Sequence, residues 1–226
     1  MAKTFKAGLV QMCAGRTVGP NLAEACRLIR EARSQGADYI LTPETTNIME
    51  LERAKLLAAT APEEGNVAVE RFSDLARELR TWLHIGSVIV HLENSEKTAN
   101  RSMLFSPDGG IVARYDKIHM FDVDLPDGET YRESNSYEPG LKGVVTNLPW
   151  GTLGMTICYD LRFPYLYRAL AKAGAKFLTV PAAFTVPTGT VHWHALLKAR
   201  AIECQCFVFA AAQGGAHENG RSTYGH

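Results

Sequence analysis

The sequence has no excess of charge of either sign, because its 24 lysine and arginine residues are matched by 24 aspartate and glutamate residues. This balance argues against a nucleic-acid partner or a membrane-surface partner held by bulk electrostatics. The chain lacks any run of about 18 or more apolar residues, so no membrane span is predicted. Residues 1–10 lack the apolar core and the cleavage site of a signal peptide.

Cysteine is scarce, with five residues at irregular spacings. An odd count without a regular pattern argues against a disulfide framework and fits a reducing compartment, so we expect a cytoplasmic protein. Internal repeats and low-complexity segments are also missing, and no change of composition marks a domain boundary. We therefore expect residues 1–226 to form one domain.

What the sequence does contain is an alternation of short apolar runs with amphipathic segments, which predicts an α/β fold. Strands are predicted at residues 4–12, 37–41, 82–90, 101–105, 111–115, 143–147, 153–157, 176–180 and 207–212. Helices are predicted at residues 21–34, 68–80, 165–173 and 192–203. Residues 117–140 show no periodicity, and a loop of that length inside a compact domain is usually functional.

Cys158 lies where the predicted strand 153–157 meets the helix that follows. The positive end of a helix dipole favours a thiolate at such a corner. The arrangement is that of a nucleophile elbow with a thiol in place of a hydroxyl. A buried structural cysteine fits the same position, so the corner alone leaves both interpretations open.

Two charged residues occupy similar positions after other predicted strands. Glu44 follows Pro43 beyond one buried strand, and Lys117 follows the strand 111–115. In open α/β sheets the ligand crevice lies beyond the carboxyl ends of the strands, so Glu44, Lys117 and Cys158 are expected to converge. Each charged residue alone is typical of a solvated loop. Together they supply the base and the oxyanion-stabilising cation that a thiol nucleophile needs.

The three segments around these residues resemble the nitrilase (carbon–nitrogen hydrolase) superfamily. They read Leu-Thr-Pro-Glu44-Thr, Tyr-Asp-Lys117-Ile-His-Met-Phe-Asp and Ile-Cys158-Tyr-Asp-Leu-Arg-Phe-Pro. The resemblance runs from the first strand to the end of the chain. It implies a four-layer α-β-β-α sandwich with a Glu–Lys–Cys triad and no metal or cofactor. It also implies a second glutamate, a position that Glu133 matches.

The resemblance further implies an amidase that works through a thioester. Glu44 would act as the general base that takes the proton of Cys158. Lys117 and the main-chain N–H of Tyr159 would stabilise the oxyanion. Glu133 would hold Lys117 and orient a small-molecule amide substrate.

Within the superfamily, residues 133–136, 181–189, 192–193 and 199–207 resemble the deaminated glutathione amidase branch. This implies cleavage of deaminated glutathione into 2-oxoglutarate and a dipeptide. Three alternatives remain: an ω-amidase acting on 2-oxoglutaramate, an N-carbamoyl amino acid amidohydrolase, and a non-catalytic binding protein on the same fold. Tyr165 and His194 stand where many relatives have glutamate, which bears on specificity.

Arg162 is expected to bind a carboxylate of the substrate. It lies about one helical turn after Cys158 and would point into the same crevice. By resemblance, Phe184 and Thr188 would line the pocket beside it. The alternative is an arginine that pairs with Asp160 or with a helix end.

A zinc site is the competing interpretation of the histidines. His192, His194, Cys204 and Cys206 all carry side chains that bind zinc. The two histidines, however, are two positions apart on a predicted helix and therefore point in different directions. A helix packed into the core through Trp193 explains the segment better.

The chain ends at His226, inside a segment after which relatives continue into a further strand pair and a tail used in dimer packing. The resemblance therefore implies a homodimer. It also implies either that this chain is a fragment or that the domain ends early, without this strand pair. Without the pair we expect open sheet edges and exposed apolar surface, and hence poor solubility or association.

Overall fold

The computed structural model describes residues 4–93, 95–124, 128 and 130–226. The helices are α1 (Val18–Ser34), α2 (Arg53–Ala59), α3 (Val67–Leu79), α4 (Pro164–Lys172) and α5 (Val186–Cys204). The strands are β1 (Ala7–Leu9), β2 (Tyr39–Leu41), β3 (Trp82–His91), β4 (Thr98–Phe105), β5 (Ile111–Asp116), β6 (Asp122–Asp124), β7 (Thr130–Arg132), β8 (Val144–Leu148), β9 (Gly151–Met155), β10 (Phe177–Thr179), β11 (Phe207–Phe209), β12 (Gly214–Ala216) and β13 (Ser222–Tyr224). Short 3₁₀ helices span Glu133–Asn135 and Cys158–Arg162. Across these described ranges, no helix is both long and apolar enough to cross a membrane.

Two larger sheets form the centre of the molecule. The first has the order β1-β2-β3-β4-β5, in which β1, β2 and β3 are parallel while β4 pairs antiparallel with both β3 and β5. The second has the order β11-β10-β9-β8, in which β9, β10 and β11 are parallel and β8 is antiparallel to β9. The pairs β6–β7 and β12–β13 are separate antiparallel ribbons. The α/β class is confirmed.

The helices cover the outer faces of the two sheets. Helices α1 and α3 pack on the first sheet, and α4 and α5 pack on the second. One apolar core joins α1 and α3 to the first sheet, with Ile29, Phe72 and Ile85 fully buried in it. A second core lies between the sheets, where Tyr115 of β5 and Met155 of β9 belong to one cluster. The expected layer order α-β-β-α is therefore confirmed.

Local sequence explains how the helices on the first sheet begin and end. Helix α1 buries Leu22, Cys26 and Ile29 on one face, as the spacing predicts. Gly36 then takes a positive φ of 89°, which lets the chain turn out of the helix. Helix α3 starts after Asn66, whose side chain accepts hydrogen bonds from two main-chain N–H groups of the first turn.

Several elements differ from the predictions. Helix α5 begins at Val186 rather than near residue 192, because Pro187 is tolerated in a first helical turn, where its missing N–H costs nothing. Helix α2 was not predicted, since Leu56 is its only buried residue and leaves no apolar stripe to recognise. Strands β12 and β13 were missed as well, because three-residue strands carry almost no alternation.

The stretch 117–140 is partly structured, so the prediction that it lacks regular structure is wrong for β6, β7 and the 3₁₀ helix Glu133–Asn135. Residues 125–127 and 129 of this stretch lie outside the described residues, as do residues 1–3 and 94. The β6–β7 ribbon is important for the site because it returns the chain, and with it Glu133, toward the end of β5.

The carboxyl ends of strands from both sheets meet at one edge of the sandwich. Strand β5 runs parallel to β3, since both pair antiparallel with β4. Glu44 therefore follows β2, and Lys117 follows β5, at the same edge of the first sheet. Cys158 follows β9 and Ala183 follows β10 in the second sheet. The expected convergence of strand ends is observed here.

Candidate active site

Cys158 sits in a strained turn at the end of the β9 segment. Its φ is +48°, a left-handed conformation that costs a residue with a side chain about 1–2 kcal/mol. The turn is held by two hydrogen bonds: Cys158 N donates to the carbonyl of Pro181 at 2.9 Å, and Ile157 N donates to Asp160 Oδ2 at 2.8 Å. The side chain is almost fully buried, which directs the thiol inward rather than to solvent.

Asp160 also ties this turn to the Lys117 segment. Its Oδ2 accepts the hydroxyl proton of Tyr115 at 2.7 Å. Its Oδ1 lies 3.1 Å from the main-chain N of His119 and 2.6 Å from His119 Nδ1. Asp160 is fully buried, so these bonds fix the nucleophile turn against the loop that follows β5. The alternative pairing of Asp160 with Arg162 is not observed among the described residues.

Glu44 is a buried carboxylate surrounded by donors. Its Oε1 accepts from Lys117 Nζ and from Asn100 Nδ2, both at 2.9 Å. Its Oε2 accepts from the main-chain N–H of Ala183 at 3.0 Å. The Cys158 thiol lies close enough to this carboxylate for each group to shift the pKa of the other. The predicted base and the predicted nucleophile are therefore neighbours.

Lys117 bridges two carboxylates. Besides Glu44, its ammonium donates to both oxygens of Glu133 at 2.8 Å. Glu133 Oε2 is fixed from the other side by the main-chain N–H of Phe121 at 2.6 Å. Lys117 is only 2% exposed, so its charge is compensated by these glutamates and not by water.

The protonation states follow from burial and from these neighbours. Burial raises the pKa of the Glu44 carboxyl, but the charge of Lys117 and the hydrogen bonds from Cys158 and Lys117 hold that pKa below its usual value. Burial lowers the pKa of Lys117, but the charges of Glu133 and Glu44 outweigh burial and raise that pKa well above normal. Near neutral pH the set therefore holds a carboxylate base and an ammonium.

The thiol behaves differently from the sequence-based expectation. Burial and then the charge of Glu44 raise the pKa of Cys158 well above its usual value, and the opposing charge of Lys117 does not outweigh them. The expectation of a thiolate favoured by a helix dipole is wrong here. The residues directly after Cys158 form a short 3₁₀ turn, and α4 begins at Pro164, one residue before its predicted start, so the N-terminus of that helix does not lie at the thiol. The resting group is a thiol with a base beside it.

A cavity of about 200 Å³ opens onto these groups. Seven of the eight site residues that the sequence singled out line it, namely Glu44, Lys117, Glu133, Cys158, Tyr159, Phe184 and Thr188. Thr188 Oγ1 lies 2.8 Å from the hydroxyl of Thr185, which also faces the cavity. The same cavity therefore contains the reactive groups and a lining of both apolar and polar side chains.

Arg162 is the predicted site residue that is absent from the cavity lining, which is drawn from the described part of the chain. Its guanidinium carbon lies 5.5 Å from the ring centroid of Phe184 and 6.0 Å from that of Tyr159. The expectation assumed an α-helix, but side chains three positions apart eclipse in a 3₁₀ helix. Leu161, rather than Arg162, therefore lies in line with Cys158.

Three residues of the site were missed by sequence reasoning. Asn100 donates to Glu44 and, at 3.5 Å, to Glu133. The hairpin register could have revealed it, because Lys117 N donates to the carbonyl of Asn100 at 3.0 Å. Ala183 contributes only its main-chain N–H, which leaves no sequence signal. Arg221 lines the cavity from the β12–β13 ribbon, which was not predicted.

The histidines do not assemble a zinc site. No group of three or more His, Cys, Asp or Glu side chains within the described ranges could hold a metal ion. The set His192, His194, Cys204 and Cys206 therefore does not come together. His192 Nδ1 instead faces the guanidinium of Arg162 at 3.4 Å.

The chain resembles a known family, known proteins and solved structures along nearly its whole length. The family model described as carbon–nitrogen hydrolase matches residues 6–226. A protein of Yersinia enterocolitica named deaminated glutathione amidase is 42% identical over 226 residues, which cover 99% of this chain and 78% of that protein.

Two solved structures share the fold along the whole chain. The Caenorhabditis elegans NitFhit protein aligns with a TM-score of 0.91 at 33% identity, covering 100% of this chain and 55% of the other. Nit3 of Saccharomyces cerevisiae, a member of branch 10 of the nitrilase superfamily, aligns with a TM-score of 0.88 at 27% identity, covering 100% of this chain and 83% of the other.

Proposed function

Because this chain belongs to the carbon–nitrogen hydrolase family, we propose that it is an amidase that cleaves deaminated glutathione through a thioester on Cys158. It is a hydrolase of carbon–nitrogen bonds other than peptide bonds. The products are 2-oxoglutarate and a dipeptide. The observation that carries the proposal is the grouping of Cys158 with the hydrogen-bonded pair Glu44 and Lys117 at one cavity. The substrate follows the name of the 42% identical relative.

Acylation begins with a proton transfer. Glu44, held as a carboxylate by Lys117, accepts the thiol proton while the sulfur of Cys158 attacks the amide carbonyl carbon. The raised pKa of Cys158 keeps the proton in place until a substrate arrives, so that no free thiolate is exposed to side reactions. The new C–S bond forms as the carbonyl π pair moves onto oxygen.

The negative oxygen needs donors that are already in position. Lys117 has a buried ammonium beside the cavity, and the main-chain N–H of Tyr159 follows the nucleophile directly. We assign both to the oxyanion. Charged donors in a site that excludes water stabilise such an intermediate by several kcal/mol, of which one donor supplies about 2.7–4 kcal/mol.

Collapse of the intermediate breaks the C–N bond. The carboxylic acid formed on Glu44 returns its proton to the leaving amine, which departs as the dipeptide. The ionised Glu44 then deprotonates a water that attacks the thioester, and the thiol of Cys158 is restored as the acid leaves. These side chains supply every proton transfer that the reaction requires.

Glu133 keeps Lys117 in place and charged. Both of its oxygens accept from Lys117, and the Phe121 N–H holds one of them. An anion fixed in this way also provides an acceptor for the N–H of a substrate amide at the cavity. Phe184 and Thr188 are assigned to the substrate pocket because they line the cavity.

Two further proposals concern the setting of the enzyme. The described cysteines are all free, which supports a reducing cytoplasm as its compartment. Val191 and Ile202 of α5 and Phe207 of β11 are largely exposed apolar side chains, which supports association of two copies through this face.

A substrate panel tests the function. Deaminated glutathione, 2-oxoglutaramate and an N-carbamoyl amino acid are compared by steady-state kinetics, with 2-oxoglutarate or ammonia release as the readout. We expect the highest kcat/KM for deaminated glutathione, and no turnover by Cys158→Ala. A higher kcat/KM for either of the other amides would replace the proposed substrate, and full activity of Cys158→Ala would reject the thiol mechanism.

A further inference from the structure

Arg221 lines the cavity and forms no ion pair with an acidic side chain among the described residues, although its charge contributes to lowering the pKa of nearby Glu44. It lies between β12 and β13, and its guanidinium donates through Nη2 to the carbonyl of Ala183. Its guanidinium carbon lies 5.3 Å from the ring centroid of Tyr131. Its Nε is buried and has no hydrogen-bond partner in the part of the chain that the structure describes. A guanidinium has five N–H donors, so most of the capacity of Arg221 is unused.

The other arginine at this cavity is differently placed. Arg132 Nη2 is paired with Asp124 at 2.7 Å, so its charge is already matched. No ion pair of this kind holds Arg221 among the described residues. A partly buried cation without a carboxylate partner is costly unless a ligand completes it. Arg221 therefore marks a part of the cavity lining that would stabilise an anionic group of a ligand.

The position of Arg221 limits which anion it can take. Ala183 accepts from Arg221 through its carbonyl and donates to Glu44 Oε2 through its N–H. A single residue thus separates the guanidinium from the base that takes the thiol proton. The anion must then lie only a few bonds from the carbonyl that Cys158 attacks.

We propose that Arg221 binds the carboxylate on the acyl half of the substrate and so sets the preference for short acids that carry an amide at their far end. The inference rests on the proposed amidase function and moves carboxylate recognition from Arg162 to Arg221. Deaminated glutathione has two carboxylates. The one on the 2-oxo acid half lies fewer bonds from the scissile carbonyl than the one on the dipeptide half, so it is the one that fits.

The test compares two substrates that differ only in this charge. Glutaramate carries the carboxylate, and glutaramide carries an uncharged carboxamide of nearly the same shape. The ratio of their kcat/KM values measures carboxylate recognition, and it cancels any general effect of a variant on Glu44. We expect the wild-type protein to prefer glutaramate by about 10- to 100-fold, the range of a charge-assisted pair. In Arg221→Met the ratio is expected to fall close to one.

Arg162→Met is the matched control, because it removes a guanidinium of the same charge. The Arg162 guanidinium lies against Phe184 and Tyr159, and Arg162 does not belong to the cavity lining. The ratio in Arg162→Met is expected to stay at the wild-type value. If Arg221→Met does not fold, the ratio is read in Arg221→Lys, where loss of the two-pronged geometry lowers it by about tenfold. An unchanged ratio in the Arg221 variants, or a collapse of the ratio in Arg162→Met, overturns the inference.

A binding experiment separates this inference from the proposed function. If the wild-type protein hydrolyses neither of these two amides, or if the substrate panel rejects the proposed function, Arg221 is tested by titrating 2-oxoglutarate into Cys158→Ala protein. Calorimetry is expected to show at least tenfold weaker binding when Arg221→Met is added to Cys158→Ala, about the loss of one charged contact. Equal binding by the two proteins overturns the inference.

Discussion

Lys117 Nζ lies 2.9 Å from Glu44 Oε1, and the two residues are only 2% and 4% exposed. The ammonium keeps Glu44 ionised although the carboxylate is buried, and Glu44 in turn keeps Lys117 charged. Since the Cys158 thiol also reaches Glu44, one carboxylate couples the nucleophile to the cation that stabilises the oxyanion.

Glu44→Gln removes the base and should lower kcat by about 10²- to 10⁴-fold. It should also shift the pH profile of thiol alkylation to lower pH, because the Glu44 charge raises the pKa of Cys158 and that contribution is lost. The measurement is the rate of iodoacetamide modification against pH. Glu78→Gln, a glutamate paired with Arg30 on the surface, is the control. A profile that moves to higher pH or does not move would contradict the assigned pairing.

Lys117→Met leaves the carboxylates of Glu44 and Glu133 buried without their cation. Breaking a buried ion pair in this way costs about 3–5 kcal/mol, so the free energy of unfolding from urea titration should fall by that amount. Lys172→Met, on the exposed face of α4, should change it by less than about 0.5 kcal/mol. Adding Glu133→Gln to Lys117→Met should restore part of the loss. Equal stability of the Lys117 and Lys172 variants would refute the account of this cluster.

Asp160→Asn tests the link between the nucleophile turn and the Lys117 segment. The amide keeps one acceptor but cannot serve all the donors from Tyr115, Ile157 and His119. Stability should fall by about 1–3 kcal/mol, and kcat should fall while KM changes little, because the residue positions the site without contacting substrate. Asp74→Asn, in an exposed pair with Arg77, provides the comparison. A variant that changed KM alone would indicate a direct role in binding instead.

The burial of His84 should make the free energy of unfolding depend on pH. Its ring nitrogens lie 2.6 Å from the Tyr39 hydroxyl and 2.7 Å from that of Ser102, between the two sheets. Burial lowers the pKa of His84 to about 3. The unfolded chain protonates this residue below about 6.5 while the folded chain does not, so the free energy of unfolding should fall as pH drops through that window.

The expected loss from His84 is about 2 kcal/mol between pH of about 7 and about 5. Urea titrations at the two values measure it. In His84→Gln this contribution is absent, and the pH dependence should flatten by that amount. An equally steep decline in the variant would assign the effect to other groups.

The sequence was informative where function requires a residue at a strand end. Glu44, Lys117 and Cys158 each follow an apolar run, and parallel strands bring such positions to one edge. It was less informative where the chain is short or irregular. The β6–β7 ribbon that delivers Glu133, and the β12–β13 ribbon that carries Arg221, consist of three-residue strands whose pairing depends on distant segments.

Two errors had a common cause. The expectations for the Cys158 thiol and for Arg162 both applied α-helix geometry to residues 158–162, although the helix itself is predicted only from residue 165. Residues 158–162 form a 3₁₀ turn. The helix geometry would have placed Arg162 over the crevice and lowered the pKa of the thiol. In the structure, Arg162 lies against Phe184, and burial beside Glu44 raises that pKa. Local propensity does not distinguish the two helix types over five residues.

Trapping the acyl-enzyme tests the central claim most directly. Protein mixed with 2-oxoglutaramate or deaminated glutathione is quenched in acid during turnover, digested and examined by mass spectrometry. The account predicts the acyl group of the substrate on the peptide that contains Cys158, and its complete absence in Cys158→Ala. An acyl group on any other residue, or amide hydrolysis that persists in Cys158→Ala, would contradict it.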